Sequence, residues 1–326
     1  MLGAGKTLAI DGMKSALFTL LAASAVLALG NTAALADAFG TTGNEFTIDF
    51  VNIGNAGNAD DNIGYGAVPY AYRSGVTEIS QDMITKATAS GLTDVTAGAW
   101  AGSQPAANIT WYEAAAFVNW MNTSTGHQKA YDLTYSGSWS MGLWSSADAW
   151  QTGGTNLYRH KDAYYVLPSE DEWYKAAYYD PNKSGGAGYW NYATGSDTAP
   201  GAVASGTGAG TAVYGGGSIT VPAGVDDNGG LSPYGTRGQN GNVWEWSESA
   251  FISPNDSSSE NRAVRSGYWN DPELSLRSSV HSSSGPSNSS NTIGFRVASV
   301  PEPSAALLVL MAGGGWLVWK RRKAAR

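Results

Sequence analysis

Residues 185–230 limit what this chain can build more than any other stretch. They run through Gly, Ala, Ser and Thr with few large apolar residues, so they cannot supply the apolar stripes of a helical bundle and read as long surface loops. One short strand is predicted inside them, at Ser218–Val221. Across the chain the pattern holds, with 42 glycines and only 14% charged residues. A 42% hydrophobic content with 13 Trp and 17 Tyr still provides a packed core. The expectation is a loop-rich α+β domain with two main helices.

The two helices announce themselves by their starts. In Trp111–Asn122, Thr110 at its start and Glu113 have the spacing of a capping box, and Ala114, Phe117 and Met121 repeat on one face. After Val166-Leu167-Pro168, Ser169 and Glu172 repeat the capping pattern, Trp173, Ala176 and Ala177 form the apolar face, and Asp180-Pro181 ends the helix. The run Glu170-Asp171-Glu172 invites a catalytic reading, but acidic residues in a first helical turn are explained by the cap and the positive helix end. Strands are predicted at Phe46–Asn52, Val76–Ser80, Val243–Trp246, Ala263–Gly267 and Gly294–Ala298, and a polar loop at Ser282–Asn291.

The chain contains no cysteine, which excludes disulfides, thiolate nucleophiles and zinc–thiolate or iron–sulfur sites. His127, His160 and His281 are its three histidines, little material for a transition-metal site. Residues 37–319 carry 12 Lys and Arg against 26 Asp and Glu, a net of −14. Such an acidic surface argues against nucleic acid as a partner.

Both ends read as addresses. Met13-Lys14, the apolar run Ala16–Leu29 and Ala34-Leu35-Ala36 have the form of a signal peptide over residues 1–36, with the mature chain starting at Asp37. Residues 1–12 add nothing to it, and Met13 is an alternative start. Ser304–Trp319 is uncharged and is followed by Lys320-Arg321-Arg322-Lys323. As a helix it would cover about 24 Å, short of the ~30 Å hydrocarbon core, with its basic end cytoplasmic. With Val300-Pro301-Glu302-Pro303 ahead of it, this tail, residues 300–326, resembles the PEP-CTERM sorting signal. That resemblance implies a Gram-negative source, often one making exopolysaccharide, processing by an exosortase, and delivery to the cell envelope or extracellular matrix.

Between the two, residues 37–299 resemble the formylglycine-generating-enzyme or sulfatase-modifying-factor family. Six segments carry the resemblance in order: Ile109–Ala114, Leu167–Trp173, Gly241–Trp246, Arg265–Asn270, Leu276–Ser279 and Gly294–Val297. It implies an elaborated C-type-lectin-like fold. In the family's oxidases two cysteines hold copper; the corresponding stretch here is Asn270–Ser275, with Asp271 and Glu273, and carboxylates are poor ligands for Cu(I). Iron-dependent relatives use histidines from an extra helical domain, which this chain lacks. Neither copper nor iron is expected, and no catalytic residue is assigned.

The family also implies a calcium site built from the Gly241 and Val243 carbonyls and the Glu245 carboxylate. Gly238 stands where a further Asp or Asn ligand is usual. In the competing reading Glu245 only hydrogen-bonds neighbouring backbone amides. Arg296 is expected to satisfy loop carbonyls, and His281 to be a loop hydrogen-bonder. The resulting expectation is an exported, non-catalytic binding domain for a polysaccharide or protein. The alternative is a divergent formylglycine-generating-type or nonheme-metal enzyme working without cysteine, with Asp271 and Glu273 as an acid/base pair.

Overall fold

A computed structural model describes residues 35–300 except 97 and 253. The tail beyond Val300 and all of the leader pattern before Leu35 lie outside the described residues.

Two capped helices form where the sequence places them. Helix α2, Trp111–Ser124, begins at Thr110, whose hydroxyl accepts from the Glu113 N–H while Glu113 accepts from the Thr110 N–H. It runs two residues further than expected. The predicted stripe understates its burial: eleven of its residues, including Trp111, Phe117 and Trp120, are buried, because both main sheets and the loops after them close around it. Helix α3, Glu170–Tyr178, starts at Ser169 with the second capping box.

Helix α1, Gln81–Ala89, was not expected. Only Ile84 and Ala87 are buried on it, too few to reveal a 3.6-residue period. Its signal was local: Ser80 caps the Met83 N–H and Asp82 occupies the first turn. The strand predicted at Val76–Ser80 lies instead at Tyr72–Gly75.

A five-stranded antiparallel sheet runs in the order Leu35–Phe39, Phe46–Ile53, Tyr72–Gly75, Ala298–Ser299 and Tyr165–Val166. In Phe46–Ile53, Phe46, Ile48 and Phe50 face the core and Thr47 and Asp49 face out, the two-residue alternation of a half-buried strand. A four-stranded sheet runs Ser282–Ser284, Arg262–Arg265, Trp244–Ala250, Ile293–Phe295, the last pair parallel. Thus the predicted strand Gly294–Ala298 is two strands in two sheets, with Arg296-Val297 crossing between them. The polar loop predicted from Ser282 begins as an edge strand.

The glycine-rich stretch is mostly irregular. Its regular pieces are two-residue pairings, such as Gly201-Ala202 alongside Thr211-Ala212; Ser218–Val221 is irregular and not a strand. Two hairpins were missed, Leu133–Tyr135 with Trp139–Met141 and Ala149–Trp150 with Asn156–His160. The second of these later proves to wall a cleft.

Candidate functional site

Three polar centres lie behind the family motifs. The first joins the sheets. Glu245 is fully buried; its Oε2 accepts from Arg296 Nε (2.6 Å) and Trp173 Nε1 (2.7 Å), and its Oε1 from Arg296 Nη2 (2.6 Å). Arg296 also donates to the carbonyls of Gly75, Val76 and Arg237. It satisfies loop carbonyls as expected, but its main partner is the carboxylate of Glu245, one of the residues expected to hold calcium.

Beside this pair Glu78 is also fully buried. Its Oε1 faces Asn242 Nδ2 at 3.0 Å and its Oε2 faces Asn228 Nδ2 at 2.6 Å. Burial, and then the charge of Glu245, push the Glu78 carboxyl up to about 8, with Arg296 opposing. A Cβ at Gly238 would lie 2.6 Å from Glu78 Oε1 and would also strike Asn228. The space a carboxylate at 238 would need is therefore filled from other parts of the chain.

These residues do not fit a calcium ion. Both Glu245 oxygens are committed to a guanidinium, the Gly241 carbonyl accepts from Ser266 Oγ at 2.9 Å, and position 238 has no side chain. Among the described residues, no group of three or more His, Asp and Glu is arranged to hold a metal.

The second centre is Asn270–Ser275, the stretch that corresponds to the cysteine segment. Pro272 ends one loop and Glu273–Leu276 forms a short 3₁₀ turn. Asp271 Oδ2 accepts from the Tyr268 N–H at 3.1 Å, and burial pushes its carboxyl up. Glu273 accepts from Tyr192 at 3.0 Å. The two carboxylates that a cysteine-free mechanism would use are thus held by separate partners. Trp269 packs edge-on against Trp100 and Tyr268, and the Gly216 N–H from the glycine-rich stretch bonds the Asp271 carbonyl.

The third centre was missed in the sequence. Arg159 is buried and bridges two carboxylates, donating Nε to Glu248 (3.0 Å to Oε1) and Nη1 and Nη2 to Glu172 (2.9 and 2.8 Å). Burial works to raise the Glu172 carboxyl, but the Arg159 charge prevails and holds it low; Glu248 is pushed up by its burial. Tyr70 and Asn156 hydrogen-bond Glu172 and Glu248. Of these groups Arg159, Tyr70 and Asn156 line an open cleft of about 420 Å³ between residues 64–70, 150–156 and 249–255.

The acidic run of α3 divides there. Glu172 forms the cap, as predicted, but Glu170 and Asp171 both line the cleft. Glu170 Oε1 takes Arg265 Nε (2.7 Å) and His281 Nδ1 (2.8 Å), and Phe251 packs on the His281 ring. His281 thus belongs with the cleft, while Asp271 and Trp269 belong with the second centre. The capping box explained one carboxylate of three, and no spacing rule could separate the other two from it.

Helices and short strands in this order, with long loops around a buried ionic core, define an elaborated C-type-lectin-like α+β fold. Two solved structures agree. Treponema denticola variable protein 1 superimposes with a TM-score of 0.54 at 19% identity, covering 82% of this chain and 99% of that one. CarF superimposes with a TM-score of 0.50 at 19% identity, covering 78% and 98%. PvdO from Pseudomonas aeruginosa reaches 0.48 at 14% identity, covering 83% and 100%. Residues 36–300 match the Sulfatase-modifying factor enzyme 1-like domain, and the chain belongs to that family. Comparison with curated proteins gives no match.

Proposed function

We propose that this chain is an exported protein of the cell surface or extracellular matrix whose sulfatase-modifying-factor-like domain binds a ligand without transforming it. The observation that carries the non-catalytic reading is the content of Asn270–Ser275. Where the family's oxidases place two cysteines, this chain has a 3₁₀ turn with Asp271 tied to its own loop and Glu273 to Tyr192. The signal-peptide pattern and the PEP-CTERM-like tail support export and exosortase processing. Val300, with which the PEP-CTERM-like segment opens, is buried, and its N–H bonds the Tyr164 carbonyl. Among the described residues no helix is long and apolar enough to cross a membrane.

The catalytic question is tested by incubating purified protein with cysteine-containing peptides under air, with copper or iron supplied. Mass spectrometry is expected to show no aldehyde or sulfoxide product; multiple turnovers of either would reverse the reading. Fractionation of the producing cells, before and after deleting residues 300–326, tests export: the tagged domain should be found in the envelope or matrix and change its distribution when the tail is removed.

A further inference from the structure

The 420 Å³ cleft has the size of a small-ligand site, and its chemistry is one-sided. Its two carboxylates each commit one oxygen inward: Glu170 Oε1 to Arg265 and His281, and Asp171 Oδ1 to the Gly66 N–H at 2.9 Å. Glu170 is only 6% exposed, yet its Oε2 has no partner among the described residues, and neither has Asp171 Oδ2. The guanidinium at the floor, Arg159, is already shared between Glu172 and Glu248. Glu170, Asp171 and Arg159 line the opening, with Arg265 paired to Glu170 and with Glu172 and Glu248 paired to Arg159 behind them. Burial pushes the Asp171 carboxyl up against the Gly66 hydrogen bond, and Glu170 and Glu172 add their repulsion. A cation placed beside it would relieve that repulsion.

The amides are partly committed inward: Asn156 and Asn255 each give one Nδ2–H, to Glu248 and to Asn156 Oδ1, and Asn255 Oδ1 accepts from the Ala250 N–H. The free charged groups the cleft presents are acceptors, the outer oxygens of Glu170 and Asp171, together with the partly exposed rings of Tyr65, Tyr70 and Phe251. Such a surface suits a ligand that donates hydrogen bonds, carries positive charge and has an apolar face for ring contact. An acidic polysaccharide is repelled from it. A hexosamine with a free amino group meets all three requirements, with hydroxyls and an ammonium as donors and a ring face of C–H groups.

We propose that this cleft binds a saccharide bearing a free amino group, with the ammonium held by Asp171 and Glu170 and the ring against the aromatic wall. The inference rests on the reading of the domain as a binding module. Calorimetry with the purified protein tests it, using a β-1,4-glucosamine tetramer, its N-acetylated counterpart, a uronate tetramer and tetralysine as probes. The glucosamine tetramer should bind at least about tenfold more tightly than the N-acetylated one, as loss of a charge-assisted hydrogen bond requires, and the uronate should not bind. Asp171→Asn should weaken glucosamine binding about tenfold. Ile252→Arg, at a rim position 83% exposed, should abolish it with the melting temperature unchanged.

Equal binding of the acetylated tetramer, or affinity undiminished in both variants, overturns the proposal. Tighter binding of tetralysine than of the glucosamine tetramer overturns it in favour of a basic peptide. No saccharide binding and no turnover overturns the ligand assignment and leaves the binding-module reading standing; cleavage of a tetramer overturns that reading itself.

Discussion

Arg296 holds both oxygens of Glu245 at 2.6 Å in a setting where neither side chain touches solvent. The pair does more than neutralise itself. Arg296 lies where the chain leaves the four-stranded sheet after Phe295 and enters the five-stranded sheet at Ala298, and its remaining donors satisfy carbonyls of residues 75, 76 and 237. Removing the guanidinium leaves the buried Glu245 carboxylate with only the Trp173 N–H and takes a donor from three carbonyls. Arg296→Met should therefore cost about 3–5 kcal/mol, the range for breaking a buried pair from one side, measured by urea denaturation. Adding Glu245→Gln to it should recover part of the loss; a double variant less stable than the single one contradicts this account of the pair.

Calcium should leave the domain unaffected. An ion bound only to the folded state at a hundred times its Kd adds about 2.7 kcal/mol, which is several degrees in melting temperature for a domain of this length. With Glu245 engaged by Arg296, melting curves in millimolar calcium and in chelator should coincide. A rise of several degrees on adding calcium would mean that Arg296 yields Glu245 to the ion.

Glu78 makes stability depend on pH in a direction opposite to that of paired carboxylates. Its carboxyl is pushed up to about 8 from an ordinary 4.5, so between those values the folded chain keeps a proton that the unfolded chain has lost. Its contribution is complete below pH 4.5 and is lost as pH rises through 8, with a slope of up to about 1.4 kcal/mol per pH unit. The geometry agrees. The 2.6 Å separation from the Asn228 amide is short for N–H···O and ordinary for O–H···O. If the amide is turned, the Glu78 hydroxyl donates to Asn228 Oδ1, which otherwise has no partner among the described residues. Glu78→Gln should flatten the stability profile between pH 5 and 8; an unchanged slope refutes the protonated carboxyl.

The parts of the fold legible in sequence were those set by local chemistry. Thr110 with Glu113 and Ser169 with Glu172 located two helices because a cap is written within four residues. Phe46, Ile48 and Phe50 located a strand because alternation is equally local. What escaped was set by distant partners. Glu78 is an isolated carboxylate in sequence, and only folding places it beside Asn228 and Asn242, 150 and 164 residues away. Arg159 gave no signal because its partners are Glu172 and Glu248, one of which already had a sufficient explanation as a cap. The cleft is likewise assembled from three loops around the start of the second capped helix. The family segments contain Glu170, Asp171 and Arg265, but nothing in them shows that loops 64–70, 150–156 and 249–255 close around these residues.

Gly238 separates backbone strain from crowding and charge. Its φ of +77° is one that side chains adopt at a cost of about 1 kcal/mol, and its missing Cβ leaves room for Glu78 and Asn228. Gly238→Ala must meet both the strain and the contact with Glu78, so a loss of about 2 kcal/mol or more is expected from thermal or urea unfolding. Gly238→Asp, which restores the residue type usual in the family, adds a second carboxylate against Glu78 and should be worse than Ala at pH 8. The gap between the two should narrow toward pH 5, where the proton on Glu78 reduces the repulsion. If Asp proves more stable than Ala, and calcium widens the difference, then position 238 retains the family's ion site and the arrangement of Glu78 and Asn228 opens to admit it.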